Sequence, residues 1–183
     1  MINFFTPTRH CEYRRLKRLY KSAFPRCERK PFSMIKKMHR GGTTDIWYFE
    51  RDGEFLGLAT TVNREDFVLI DYFAVSEEHR GQGNGTEMLR SIIAHYGPSG
   101  VFLEIEIPYK DREDYHRRVK RKDFYLRAGL SELGVRVRLF GVDMELLGIG
   151  VDLDFDGYRS FYLDAFSGYA PRAIFERNVL EIE

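Results

Sequence analysis

The hydrophobic pattern of the chain changes period several times. From His10 to Phe24, Leu16, Leu19, Tyr20 and Ala23 recur at helical spacing among basic residues. Pro25 ends that run because it has no N–H to continue the helix. Before it, Met1 to Thr6 reads as a short strand closed by Pro7. Phe32–Met38 predicts a second, short helix, with Ser33 placed to cap it and Gly41-Gly42 beyond its end. Alternation then takes over. Asp45–Glu50 and Glu54–Val62 predict two strands joined across Arg51-Asp52-Gly53 as a hairpin, and Phe67–Val75 predicts a third. Thr86–Tyr96 returns to helical spacing through Met88, Leu89, Ile92 and Ile93, and Gly97-Pro98 stops it. Val101–Ile107 alternates strictly: Val101, Leu103, Ile105 and Ile107 point one way, and Phe102, Glu104 and Glu106 the other. Asp111–Ala128 predicts a helix ending at Gly129. Leu133–Phe140 and Val142–Leu147 follow as strands, Tyr158–Phe166 as a late helix and Ile174–Ile182 as a closing strand.

Hairpins first and strand–helix–strand–helix afterwards imply an α/β (mixed α+β) class, with a central mixed sheet flanked by helices. No repeat or Gly/Ser/Pro linker divides the chain, and 183 residues suit a single domain spanning 1–183. A chain of this size buries roughly 70% of its unfolded surface, so it needs no disulfide or metal to hold a core.

Charge and composition narrow the classes. The net charge of +1, from 29 basic and 28 acidic side chains, gives no nucleic-acid footprint. Cys11 and Cys27 lack ligand spacing and read as free thiols in a reducing cytosol. His10, His39, His79, His95 and His116 are scattered, so no metal site is expected. Arg14, Arg15, Lys17 and Arg18 interrupt the apolar residues near the start, and no apolar run approaches the roughly 20 residues of a membrane span. A cytoplasmic protein with neither nucleic-acid nor membrane partners is the expectation.

The most informative segment is FVLIDYFAVSEEHRGQGNGTEMLR, residues 67–90. A strand runs through an acidic turn into Arg80-Gly81-Gln82-Gly83-Asn84-Gly85 and then into a helix. Closely spaced glycines let backbone N–H groups crowd around an anion, and the opening of the helix at Thr86 adds unpaired donors and the positive end of its dipole. Arg80 adds a fixed charge suited to phosphate. A dinucleotide-binding G-x-G-x-x-G would need glycine at Thr86 or Met88, and no Gly-Lys-Ser/Thr follows to make a nucleotide-triphosphate loop. The parts make a pyrophosphate cradle.

Here the chain resembles the GNAT acetyltransferase superfamily, whose signature [QR]-x-x-G-x-[GA] lies between a strand and a helix. Arg80, Gly83 and Gly85 match it, within the longer string Ala74–Gly85. Phe124-Tyr125-Leu126-Arg127-Ala128-Gly129-Leu130 resembles the family's second signature, F-Y-x-x-x-G-F. The likeness is clearest over about 46–147, with 1–45 expected to supply acceptor-side helices and 148–183 a C-terminal helix and strand. It implies the GNAT fold, with a mixed, mostly antiparallel sheet, and acetyl-CoA as cosubstrate. Phe73, Ala74 and Val75 would contact the pantetheine arm, residues 80–86 (Arg80, Gly81, Gln82, Gly83, Asn84, Gly85 and Thr86) would hold the pyrophosphate, and the Phe73 or Ala74 N–H would meet the oxyanion. The acceptor would be an amine of a small molecule or a protein, and the chain a monomer or homodimer.

Acyl transfer from a thioester to an amine needs a base for the amine, a donor for the oxyanion and a proton or hydrogen bond for the leaving thiolate. The resemblance places Tyr125 at the thiolate. Leu103-Glu104-Ile105 resembles the L-E-V strand of the ribosomal-protein alanine acetyltransferases, which implies Glu104 as base. Glu106 shares its strand face and is an alternative, as is Asp71 within its apolar strand. Two carboxylates on one face are expected to repel, which favours base chemistry near neutrality. Arg117, Arg118, Lys120, Arg121 and Lys122 form a basic run that reads either as a solvated helix face or as a contact for the CoA 3′-phosphate or an acidic acceptor. A non-catalytic acyl-CoA-binding module is the alternative to an enzyme.

Overall fold

The computed structural model describes residues 2–64 and 67–182, apart from the side chains of Cys27 and Pro98. Of the predicted first strand, Met1 lies outside the described residues. Of the two cysteines, Cys11 is exposed and the Cys27 side chain falls outside the description.

The chain divides into two compact units, Met1–Asn63 with Ile70–His95 and Arg64–Leu69 with Tyr96–Glu183. Strands β1 (Asn3–Phe5), β2 (Thr44–Arg51), β3 (Glu54–Asn63), β4 (Val68–Val75), β5 (Val101–Glu106), β6 (Ser131–Leu139), β7 (Val142–Ile149) and β8 (Val179–Glu181) follow in the order β1-β2-β3-β4-β5-β7-β6-β8. The β4–β5 pair is parallel, and the β1–β2, β2–β3, β5–β7, β7–β6 and β6–β8 pairs are antiparallel. The pattern implied a mixed sheet, and the family resemblance a mostly antiparallel one; both describe this sheet.

In the first unit β1 (Asn3–Phe5), β2 (Thr44–Arg51), β3 (Glu54–Asn63) and most of β4 (Val68–Val75) carry α1 (His10–Ala23), α2 (Phe32–Arg40) and α3 (Asn84–Tyr96). The β2–β3 hairpin turns at Asp52 and Gly53, both with positive φ (52° and 82°), the two-residue turn whose twist suits paired strands. The predicted apolar stripe of α1 is buried: Leu16, Leu19 and Tyr20 pack with Ile35, Ile46, Tyr48, Leu58, Tyr72 and Ala74. Each large side chain removed from water there contributes about 1.5–3 kcal/mol. Glu12 starts α1 by reaching back to accept the Thr8 and Arg9 N–H groups, each at 2.9 Å. α2 opens after Pro31 rather than at a Ser33 cap.

In the second unit β5 (Val101–Glu106) pairs with the first residues of β4, Val68↔Val101 and Leu69↔Phe102, and on its other side with β7 (Val142–Ile149). β6 (Ser131–Leu139) joins β7 to β8 (Val179–Glu181). Three helices belong here, α4 (Tyr115–Arg127), α5 (Phe155–Phe166) and α6 (Arg172–Asn178). Two expectations are corrected. The helix predicted from Asp111 starts at Tyr115. The predicted closing strand Ile174–Ile182 is mostly α6, entered from Pro171, with only Val179–Glu181 in the sheet. Proline just ahead of the first turn gives up no helical hydrogen bond, so Pro171 opens the helix instead of blocking it.

Candidate active site

The glycine loop lies wholly in the first unit. β4 ends at Val75, where the Ser76 N–H donates to the Leu56 carbonyl at 2.8 Å, and one short turn over Glu77–His79 leads into the loop. Gly57 lets this end of β4 come close: a Cβ there would fall 2.3 Å from the Ala74 carbonyl oxygen. Gly83 has φ of +80°, and the space a Cβ would occupy is open. α3 opens at Asn84, two residues ahead of the expected Thr86, and the Thr86 N–H, expected as an unpaired donor, is spent with the Glu87 N–H on the Gly83 carbonyl at 3.1 and 3.2 Å. Among the described residues, the amides of 81–85 donate to no backbone carbonyl. Five amides at the positive end of a helix, with open space beside both Gly81 and Gly83, are suited to anionic oxygens.

Side chains fix the loop from inside. Asn84, 2% exposed, donates through Nδ2 to the His79 carbonyl at 3.0 Å and accepts from Arg51 at 2.9 Å. Arg51 also pairs with Glu87 at 2.5 Å, and Glu87 accepts the Ile2 N–H at 3.0 Å. That N–H and the guanidinium hold the Glu87 carboxyl below its ordinary range. Gln82 donates to the Glu78 carbonyl at 3.0 Å. Arg80 is exposed and donates through Nε to the Val75 carbonyl at 3.1 Å. The side chains of Gln82 and Asn84 therefore brace the loop through the Glu78 and His79 carbonyls. Arg51, which ties the hairpin to α3, had no local signal in the sequence. Beside the turn, a cavity of about 600 Å³ is lined by Arg15 and Arg18 of α1 and by Glu54, Glu77, Glu78 and His79. Asp71, farther back on β4, accepts from Lys30 Nζ through Oδ1 at 2.6 Å.

The acid and base candidates belong to the second unit. Tyr125, near the end of α4, is buried, and burial pushes its phenol up to about 12, although Arg121 pulls the other way. Among the described residues, none hydrogen-bonds to its hydroxyl. Glu104 and Glu106 leave the same face of β5, as the alternation requires, but their surroundings differ. Glu106 pairs with Arg118 at 3.1 Å and with Arg121. Glu104 accepts from the Tyr158 hydroxyl at 2.8 Å and the Tyr162 hydroxyl at 3.2 Å. The expected repulsion between these two carboxylates is thus offset by guanidinium charge on one and phenolic donors on the other. The basic run is not simply a solvated face. Arg118 holds Glu106, Asp114 and the Ile107 carbonyl, Arg121 holds Glu106, and Lys122 holds Glu132 and Glu145 at 3.0 and 2.7 Å.

Among the described residues no helix is long and apolar enough to cross a membrane. The family model for the acetyltransferase (GNAT) family matches residues 13–119. The chain belongs to that family of acetyl-transferring enzymes. A search of curated protein sequences found no match. Among solved structures, one from Bacteroides thetaiotaomicron, described as a GNAT-family acetyltransferase, superposes with a TM-score of 0.75 at 19% identity, covering 91% of this chain and 96% of that one. The ribosomal-protein-S18-alanine N-acetyltransferase of Escherichia coli gives 0.61 at 14% identity, covering 84% and 96%. A GNAT-family acetyltransferase of Elizabethkingia anophelis, solved with acetyl-CoA bound, gives 0.55 at 14% identity, covering 82% and 98%. At such identities the likeness is one of fold.

Proposed function

We propose that the chain is an acetyl-CoA-dependent N-acetyltransferase acting on a primary amine of a small molecule or protein, by direct attack of the amine on the thioester. One observation carries this reading: the amides of 81–85, beside exposed Arg80, donate to no backbone carbonyl among the described residues. A pyrophosphate fits this set, since its oxygens accept several N–H bonds at once and the open space at Gly83 admits them. Acetyl-CoA, when bound, supplies an acyl group activated as a thioester.

In this reading the chain's residues divide the remaining work. The backbone of Phe73, Ala74 and Val75 receives the pantetheine arm, and the N–H of Phe73 or Ala74 meets the oxyanion. Tyr125 stays neutral with its phenol near 12. Alkyl thiols titrate near about 8.5, so full proton transfer from Tyr125 to the leaving thiolate would run uphill by about 5 kcal/mol. Its hydroxyl serves instead as a hydrogen-bond donor to the departing sulfur. Glu104 takes the amine proton, directly or through water. Glu106 and Asp71 are less suited, because each would have to break an ion pair, with Arg118 and Arg121 or with Lys30, to receive a proton. Residues 1–45 supply the acceptor side in this reading.

The test is thiol release from acetyl-CoA across a panel of amines: a peptide with N-terminal alanine, spermidine and an aminoglycoside, acceptors named for related structures. Release above background with at least one amine, with that amine gaining an acetyl group by mass, is expected. Tight CoA binding without turnover on a wide panel would instead favour a non-catalytic acyl-CoA-binding module.

A further inference from the structure

Two phenols from α5 meet the carboxylate of Glu104. Tyr158 and Tyr162 are four residues apart, so their side chains leave one face of the helix. Tyr158 Oη donates to Oε1 at 2.8 Å and Tyr162 Oη donates to Oε2 at 3.2 Å, one hydroxyl for each carboxylate oxygen. Their rings are buried, at 0% and 2% exposure, and lie 5.1 Å apart. Phe102, two residues before Glu104 on the same strand face, packs edge-on against Phe161 at 5.1 Å and Tyr158 at 6.3 Å. The helix is anchored at both ends. Asp154 caps it by accepting the Gly157 N–H at 2.8 Å, and Phe166 packs on Phe175 of α6 at 5.7 Å.

Packing alone does not account for the hydroxyls. The same helix uses phenylalanine, which has no hydroxyl, at its buried positions 161 and 166. Burying a hydroxyl costs free energy unless it finds a partner, and here the partner is the carboxylate read above as the base. Each carboxylate oxygen can accept more than one hydrogen bond.

We propose that Tyr158 and Tyr162 are positioning residues for proton removal, holding the Glu104 carboxylate in one orientation and favouring its ionised form. α5, which lies beyond the residues matched by the family model, thereby becomes part of the catalytic machinery. The inference rests on Glu104 being the base.

The experiment uses the full chain with Tyr158→Phe and Tyr162→Phe, singly and together, alongside Glu104→Gln. Each phenylalanine keeps the ring and removes one donor, and two separate single variants guard against either one failing to fold. The Glu104 side-chain carboxyl is followed by 13C NMR, its resonance identified as the one missing in Glu104→Gln. Its titration should move to higher pH by about 0.5–1.5 units in each single variant and farther in the double variant, the scale of one charge-assisted hydrogen bond. The acidic limb of kcat/KM, measured with the fastest amine of the panel, should move by a similar amount. Titrations unchanged in folded single variants would overturn the inference. So would a carboxyl titration that moves while the acidic limb stays. Failure of the underlying reading looks different: Glu104→Gln would itself keep the wild-type limb.

Discussion

Replacing Gly83 by aspartate separates what the loop does for folding from what it does for a ligand. In the folded chain the cost is conformational. With φ at +80° and open space around the new Cβ, the left-handed backbone costs about 1–2 kcal/mol and nothing has to move aside. For a domain of this size that lowers Tm by about 2–8 °C. The ligand meets a different penalty. A carboxylate about 4 Å from a phosphate oxygen repels it by about 4 kcal/mol at the effective dielectric of a protein surface, or roughly a thousandfold in affinity. Gly83→Ala carries the same backbone strain without the charge, so it calibrates the first effect. Calorimetric titration with CoA, with melting curves for all three proteins, reads both quantities. The expectation is a similar modest fall in Tm for both variants and a near-complete loss of CoA binding confined to Gly83→Asp. Unchanged CoA affinity in folded Gly83→Asp would refute the pyrophosphate cradle.

Tyr125→Phe should lower kcat by about 10–100-fold with CoA affinity little changed, the scale of one hydrogen bond to a charged sulfur; an unchanged kcat with chemistry rate-limiting would return Tyr125 to packing. Glu106→Gln and Asp71→Asn should keep the acidic limb of kcat/KM, and Glu106→Gln should cost about 1–3 kcal/mol in denaturant melts because Arg118 and Arg121 lose their partner; loss of the limb in either variant would move the base there. Burial pushes the Glu12 carboxyl up, but the Arg9 and Thr8 N–H groups and the Arg9 guanidinium outweigh it and leave the group below its ordinary value. Its contribution is therefore present above the unfolded value near about 4.3 and lost as pH falls through the folded one. Glu12→Gln should cost about 1 kcal/mol at pH 7 and narrow the difference from wild type in melts below pH 4; a pH-independent difference would contradict this.

The folded elements with strong local signals were legible in advance. The apolar stripe of α1, the hairpin across Asp52-Gly53 and the alternation of β5 each follow from a period that the residues themselves carry. So did the glycine loop between β4 and α3, because its composition serves no ordinary turn. The C-terminal segment was misread because Ile174, Phe175, Val179 and Leu180 resemble a strand, and the helix signal was confined to Pro171 and to packing against α5. Long-range pairing was also hidden. Arg118 and Arg121 reach Glu106 from 12 and 15 residues away, and Tyr158 and Tyr162 reach Glu104 from 54 and 58. No local period encodes such contacts, yet they are what distinguishes the three carboxylates offered as bases.

Acetyl transfer itself is the most direct test of the account. Wild-type protein, acetyl-CoA and each amine of the panel are incubated together, and thiol release and acceptor mass are followed in parallel with a Gly83→Asp control. The account predicts thiol release matched one-for-one by acetylated amine, in wild type and not in the control. Acetylation at equal rates by both proteins would contradict it, as would CoA binding with no acetylated product from any amine.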